Sequence, residues 1–115
     1  MSAVDRAAIA AAASSVDGVN VTPYYRQSLR TGSGFVRMGP RNRPSNGFGW
    51  LDTWEVWIAA PADIEAAEKW IESKQDDLLA ALDAEMLVSS LTPSDLTVGQ
   101  TTTPGIVISG VRGAV

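Results

Sequence analysis

The sequence predicts an α+β fold in which two helices pack on a mixed or antiparallel sheet of about four or five strands. Two patterns predict it. Short segments that alternate apolar and polar residues indicate strands, and a segment with apolar residues at three- and four-residue steps indicates a long amphipathic helix. The length, 115 residues, suits a single domain with one core, spanning residues 1–115. The predicted order of elements is α-β-β-β-α-β-β.

The N-terminal part of the chain is predicted to form a helix and two short strands. A serine followed three residues later by an aspartate is typical of a helix start, and the helix runs over about 3–13. Alternation near residues 19–23 indicates a short strand, which Pro23 restricts to a sheet edge or a strand end. A second strand is predicted over 34–39.

The third strand, over residues 50–60, has the clearest strand pattern in the chain. Its alternation assigns Trp54, Val56 and Ile58 to the core side, and Thr53, Glu55 and Trp57 to the opposite side. Because that opposite side carries a charged residue, we expect it to face solvent or another subunit.

The long helix is predicted to begin at Pro61–Asp63 and to end near Met86. Proline suits the first helical turn, and acidic side chains there interact favourably with the helix dipole. One apolar stripe is expected to pack against the sheet: Ile64, Ala67, Ile71, Leu78 and Leu82. The rest of the chain is predicted to form two strands around a turn at 92–95 and an apolar segment at 106–108.

Charge is segregated along the chain. Five arginines and no acidic residue lie between Gly18 and Leu51, whereas eight acidic residues and only two lysines lie between Pro61 and Met86. Two interpretations stay open. The charged segments are either separately solvated surfaces, or complementary patches for head-to-tail self-association, which closes a ring or grows a filament.

This charge segregation defines two surfaces, the basic arm and the acidic face. The basic arm is the segment 37–50, "RMGPRNRPSNGFGW", of which about 39–49 is predicted to be a mobile basic loop. The acidic face is the set of long-helix carboxylates Glu65, Glu68, Glu72, Asp76 and Asp77, which are predicted to be solvated.

The composition argues against catalysis. The chain has neither Cys nor His, so disulfides, thiolate metal sites and the commonest general base are excluded. The carboxylates of the acidic face are predicted to lie away from the burial that a catalytic carboxyl needs. The segment "GSGF" lacks the rest of a phosphate-binding loop. We therefore predict no catalytic residue, no cofactor and no metal.

Nucleic-acid binding is a stronger alternative. The arginines are interleaved with aromatic residues that could stack on bases, namely Tyr24, Tyr25, Phe35, Phe48 and Trp50. The whole chain, however, has a net charge of −4 and an isoelectric point of about 4.6, whereas a dedicated nucleic-acid binder is usually basic. A small nucleic-acid- or partner-binding module that uses the Arg-rich loop stays an alternative.

The layout of most of the chain resembles a known family. After the N-terminal helix come "VNVTPYYRQSLRTGSGFVRMG" and the strand "TWEVWIAAPAD", which runs directly into the acidic helix with "AAEKWIESKQDDLLAAL". A closing pair surrounds "LTPSDLTVGQTTTPGIVISGVRG". This layout resembles the small tail-terminator and neck proteins of long-tailed phages, especially those of actinobacterial hosts. Similar layouts occur in neighbouring head–tail connector and tail-completion proteins.

The resemblance implies a structural protein of the virion tail or neck, assembled in the host cytoplasm. Such a protein forms a homohexameric ring that caps the tail tube, stops its elongation and joins it to the head. The implied partners are further copies of the chain, the tail tube protein and a neck or connector protein of the head. DNA passes through the lumen without sequence readout, and neither a membrane nor catalytic residues are involved.

In such a ring the basic arm is expected to contact a neighbouring subunit or the tail tube. Arginine and aromatic residues are enriched at interface hot spots. The expected contact residues of the arm are Arg37, Arg41, Arg43, Phe48 and Trp50, and the acidic face is the candidate receiving surface.

Overall fold

The computed structural model describes residues 2–25, 30–43, 47 and 49–113. Across these residues the elements follow the order α-β-β-β-α-β-β, and the predicted α+β class is confirmed. The elements are α1 (Ser2–Ser14), β1 (Asn20–Thr22), β2 (Ser33–Asn42), β3 (Leu51–Ala59), α2 (Ile64–Asp83), β4 (Leu87–Val98) and β5 (Thr101–Gly113).

The strands in the described part of the chain form one mixed sheet in the order β1-β2-β3-β5-β4. β1 lies parallel to β2, and the other neighbouring strands are antiparallel. The short β1 and the long β4 are the two edges of the sheet, and β3 is its centre. Both helices lie on the same side of the sheet, where their apolar residues share one core with those of the strands.

The central strand β3 alternates as its sequence predicts. Trp54, Val56 and Ile58 are fully buried, whereas Thr53, Glu55 and Trp57 on the opposite side are partly exposed. Val56 lies directly opposite Val36 of β2 and Ile108 of β5, so the three strands present one row of β-branched side chains to the helices. Each such fully buried side chain contributes about 1.5–3 kcal/mol to the free energy of folding.

The helix α2 is capped and packed largely as predicted. The carboxylate of Asp63 accepts a hydrogen bond from the backbone N–H of Ala66 at 3.0 Å, which satisfies a donor of the first turn. The buried residues of the stripe are Ala67, Ile71, Leu78 and Leu82. The assignment of Ile64 to the core was wrong: it is 72% exposed. As the first residue of the helix, it lies at the open end of the helix–sheet layer.

The predicted turn at 92–95 was also wrong, because these residues lie within β4 and pair with β5. Pro93 is tolerated there because β4 is an edge strand, which has one side without a ladder partner. The turn of this hairpin lies at Gly99-Gln100 instead. Gly99 has a φ of 62°, a left-handed conformation that glycine adopts without a steric penalty, and a two-residue hairpin turn requires it.

A second, smaller apolar cluster lies on the side of the sheet away from the helices. Phe35 is buried there between the rings of Tyr25, at a centroid distance of 5.2 Å, and Trp57, at 5.6 Å. The N–H of Gly99 donates a hydrogen bond of 3.1 Å to the hydroxyl of Tyr25. The segment after β1 therefore reaches the tip of the β4–β5 hairpin, where Leu96 is also buried.

Candidate subunit interface

The basic arm begins as part of the sheet and not as a loop. Residues 39–42 belong to β2, and Arg41 and Asn42 pair with the first residues of β3 after an irregularity in register. The prediction that the loop begins at residue 39 was therefore wrong, because the ladder with β3 continues to Asn42. The mobility of residues 43–49 stays a prediction.

Arg41 anchors the base of the arm to the sheet. Its guanidinium forms a bidentate ion pair with Asp52 of β3, with Nε and Nη2 donating to the two carboxylate oxygens, the latter at 3.0 Å. The side chain of Asp52 is buried, and the hydrogen bond from Arg41 lowers the pKa of this carboxyl below its ordinary value. The same hydrogen bond raises the pKa of Arg41. Arg41 is thus engaged within its own chain, and its predicted contact with a neighbour stays a prediction.

The other two arginines of the arm lie over tryptophan rings. The guanidinium of Arg37 is 4.7 Å from the ring centroid of Trp57, and that of Arg43 is 4.3 Å from the centroid of Trp50. Arg37 and Arg43 are exposed, and Trp50 keeps 42% of its surface accessible. The arm therefore presents arginine and indole groups side by side to solvent.

Two glycines near the end of the arm have left-handed backbone conformations. Gly47 and Gly49 have φ values of 75° and 66°, which glycine accommodates more readily than other residues. Arg43 donates a hydrogen bond of 3.1 Å to the carbonyl of Gly47, four residues later in the chain. Phe48, which the sequence assigned to the interface, lies outside the described residues.

The acidic face is exposed along its whole length: Glu65, Glu68, Glu72, Asp76 and Asp77 are all accessible to solvent. The two lysines of α2 leave most of this charge uncompensated. Lys69 pairs with Glu65 at 3.3 Å, but both side chains are mostly exposed, so the pair contributes little. Lys74 is directed away from the acidic face, and its ammonium group donates a hydrogen bond of 2.6 Å to the carbonyl of Asp17.

The arm and the start of the acidic face lie at opposite ends of the sheet. The arm adjoins the first residue of β3, Leu51, whereas α2 begins beyond the last residue, Ala59, and runs back along the sheet. Nine residues of strand span about 27 Å. Glu65 and Glu68 therefore lie far from the arm of their own chain, and the basic and acidic surfaces cannot meet within one molecule at that end.

A partly buried charge cluster at the arm end of the sheet was not predicted. Arg112 of β5 pairs with the buried Asp5 of α1 at 3.2 Å and with Glu85, just after α2, at 2.9 Å. Arg112 also lies opposite Asp52 in the ladder. The cluster joins α1 and the segment just after α2 to β5, the strand beside β3. These residues are far apart in sequence, so no local pattern could have indicated their pairing.

Neither a metal site nor a membrane-crossing helix is found in the described ranges. Those residues contain no group of three or more His, Cys, Asp or Glu side chains that could hold a metal ion. Neither α1 nor α2 combines the length and apolarity needed to cross a bilayer. No model of a known protein family matches the chain, and no curated protein matches it significantly.

Proposed function

We propose that this protein is a self-associating structural protein of a phage virion, and specifically a tail terminator. One observation carries the self-association: the basic arm and the start of an uncompensated acidic face lie at opposite ends of the sheet. Two different patches that bind each other produce a head-to-tail contact, and such a contact closes into a ring when its rotation allows. The charges orient the subunits and speed their encounter.

The number of subunits and the place in the virion come from the resemblance in layout. The observed order of elements is the order on which that resemblance rests, including the strand that ends at Ala59 and leads within a few residues into α2. On this basis the ring contains six copies. It caps the tail tube, stops its elongation and joins it to the neck or connector of the head, while DNA passes through the lumen. The protein needs no catalytic residue and no cofactor for this role.

Two alternatives stay open. A neighbouring head–tail connector or tail-completion role would use the same kind of self-association. A nucleic-acid- or partner-binding module is favoured by a different observation, the exposed Trp50 stacked beside Arg43. A neighbouring cation and aromatic ring can bind phosphate and stack on a base.

The mass of the purified protein in solution separates these possibilities. Light scattering over a range of protein concentrations should approach six copies of the 12.2 kDa chain, about 73 kDa. Association should weaken as salt is raised toward 1 M, where the screening length falls to about 3 Å. A labelled DNA duplex should bind weakly and without sequence preference. A strictly monomeric species at high concentration, with tight and salt-dependent DNA binding, would favour the binding module and contradict the ring.

A further inference from the structure

A groove runs between the first half of α2 and the β4–β5 hairpin. Its cavity volume is about 370 Å³, and its floor is apolar, formed by Ala67 and Ile71 of α2 with Pro93 and Pro104 of the hairpin. The exposed side chain of Ile64 lies at its rim. Pockets that hold a drug-sized molecule range from roughly 300 to 1,000 Å³, so the groove has room for an aromatic side chain.

The rim of this groove is acidic. Glu68 of α2 and Asp95 of β4 line it, and an adjoining cavity that shares Glu68 and Ile71 continues along the helix to Glu72. Among the described residues that line the two cavities, none is basic. The first half of the acidic face is therefore the border of an apolar groove, and not only a solvated surface.

We propose that this groove receives Arg43 and Trp50 from the basic arm of a second copy of the chain. Trp50 of the incoming arm lies on the apolar floor, and Arg43 beside it faces Glu68 and Asp95. The assignment rests on the proposed head-to-tail association and names the two surfaces that form its contact. Charge complementarity selects this occupant. The charged side chains among the described lining residues are all carboxylates, and the arm of each chain presents arginine and indole together.

The geometry agrees with this occupant in two further respects. Trp50 retains 42% of its surface and Ile64 retains 72%, so each chain has an unburied apolar group on both proposed surfaces. The groove also lies at the end of the sheet opposite to the arm, so a chain cannot fill its own groove. Repeating the contact therefore adds one subunit after another, as a ring requires.

Cysteine cross-linking tests the contact directly, because the natural chain has no cysteine. The test variant carries Asn42→Cys at the base of the arm and Ser94→Cys at the groove. After treatment with a short bismaleimide, a denaturing gel should show a ladder of bands at multiples of the mass of one chain. The matched control combines Asn42→Cys with Ala11→Cys on the exposed side of α1, and should stay at the mass of one chain.

A charge reversal in the groove adds a second test. Introducing Glu68→Arg into the cross-linking variant should abolish most of the ladder, whereas Asp83→Arg, an equal change at the other end of α2, should preserve it. If light scattering shows that the Asn42→Cys, Ser94→Cys variant assembles but the gel shows no cross-linked multiples, the groove is not the contact. Self-association itself would then still stand. Equal cross-linking of the control would also overturn the assignment. If the wild-type protein is itself monomeric, as well as the cross-linking variant, the proposed function is contradicted.

Discussion

Replacing Trp50 with alanine should weaken self-association while preserving the fold. Trp50 lies outside the core and keeps 42% of its surface exposed. Its specific partner within the chain is the guanidinium of Arg43, 4.3 Å from the ring centroid. An exposed cation–π pair contributes about 0.5–1 kcal/mol, so the loss of stability in the isolated subunit should be of that order.

The effect on association follows from the surface that Trp50 still exposes. A tryptophan side chain buries up to about 250 Å², so its exposed 42% corresponds to about 100 Å². At about 25 cal/mol per Å², complete burial of that area in the groove of a neighbour contributes about 2.5 kcal/mol. The dissociation constant of each contact should therefore rise roughly 60-fold in the Trp50→Ala variant.

Sedimentation velocity over a dilution series measures this change, and urea unfolding of the same samples measures the fold. The matched control is Tyr24→Ala, which removes an aromatic side chain that is 61% exposed and lies outside the arm. The control should associate like the wild type. If Trp50→Ala associates as tightly as the wild type, or if Tyr24→Ala weakens association equally, Trp50 is not the anchor of the contact.

Three further predictions concern the fold that supports the arm and the groove. Arg112→Met should lower the free energy of unfolding by about 3–5 kcal/mol, because it leaves the buried carboxylate of Asp5 in α1 without its cation. Urea unfolding measures this loss, and a loss below about 1 kcal/mol would contradict the role of the cluster. Asp52→Asn should destabilise the protein at pH 7, and the destabilisation should shrink as the pH falls below about 4. Arg41 lowers the pKa of Asp52 in the folded state, so this stabilisation is fully present above the unfolded-state pKa of about 4 and is lost as the pH falls through the folded-state pKa. Thermal melts whose difference does not shrink below about pH 4 would contradict it. Gly105→Ala should cost about 1–3 kcal/mol, since its β-carbon would lie 2.6 Å from a backbone oxygen of β3, and an unchanged melting temperature would refute this packing.

The features set by local patterns could be predicted from the sequence. The alternation of β3 assigned Trp54 and Trp57 to opposite sides of the sheet, and the stripe of α2 identified Ile71 and Leu78 as buried. Both patterns depend only on the two-residue period of a strand and the 3.6-residue period of a helix. The order of elements could be predicted for the same reason.

The features set by tertiary context could not be predicted. The residues at 92–95 have the composition of a turn, but their pairing with β5 overrides that preference, and Gly99 supplies the turn instead. Ile64 fits the apolar stripe, yet it lies where the helix extends past the core. The ion pair between Arg41 and Asp52 had no local signal, because it depends on β2 continuing far enough to bring the two residues together. In each case the outcome depends on a contact, or on the lack of one, that lies outside the local sequence pattern.

The candidate interface was likewise predictable from the sequence only in part. Charge segregation is a property of the sequence and identified both surfaces, and the exposure of the acidic face agrees with the expectation. Two features follow only from the fold. The start of the acidic face lies at the end of the sheet opposite the arm, and an apolar groove accompanies its carboxylates.

Mixing two complementary variants tests head-to-tail association most directly. An arm variant, Arg43→Ala with Trp50→Ala, keeps its groove, and a groove variant, Glu68→Ala with Glu72→Ala, keeps its arm. Each alone should have the mass of the 12.2 kDa monomer in light scattering. An equimolar mixture should form a complex of two chains, about 24 kDa, and nothing larger, because each pair has only one competent contact. A mixture that stays monomeric while the wild type assembles, or variants that assemble alone, would contradict head-to-tail association through these surfaces.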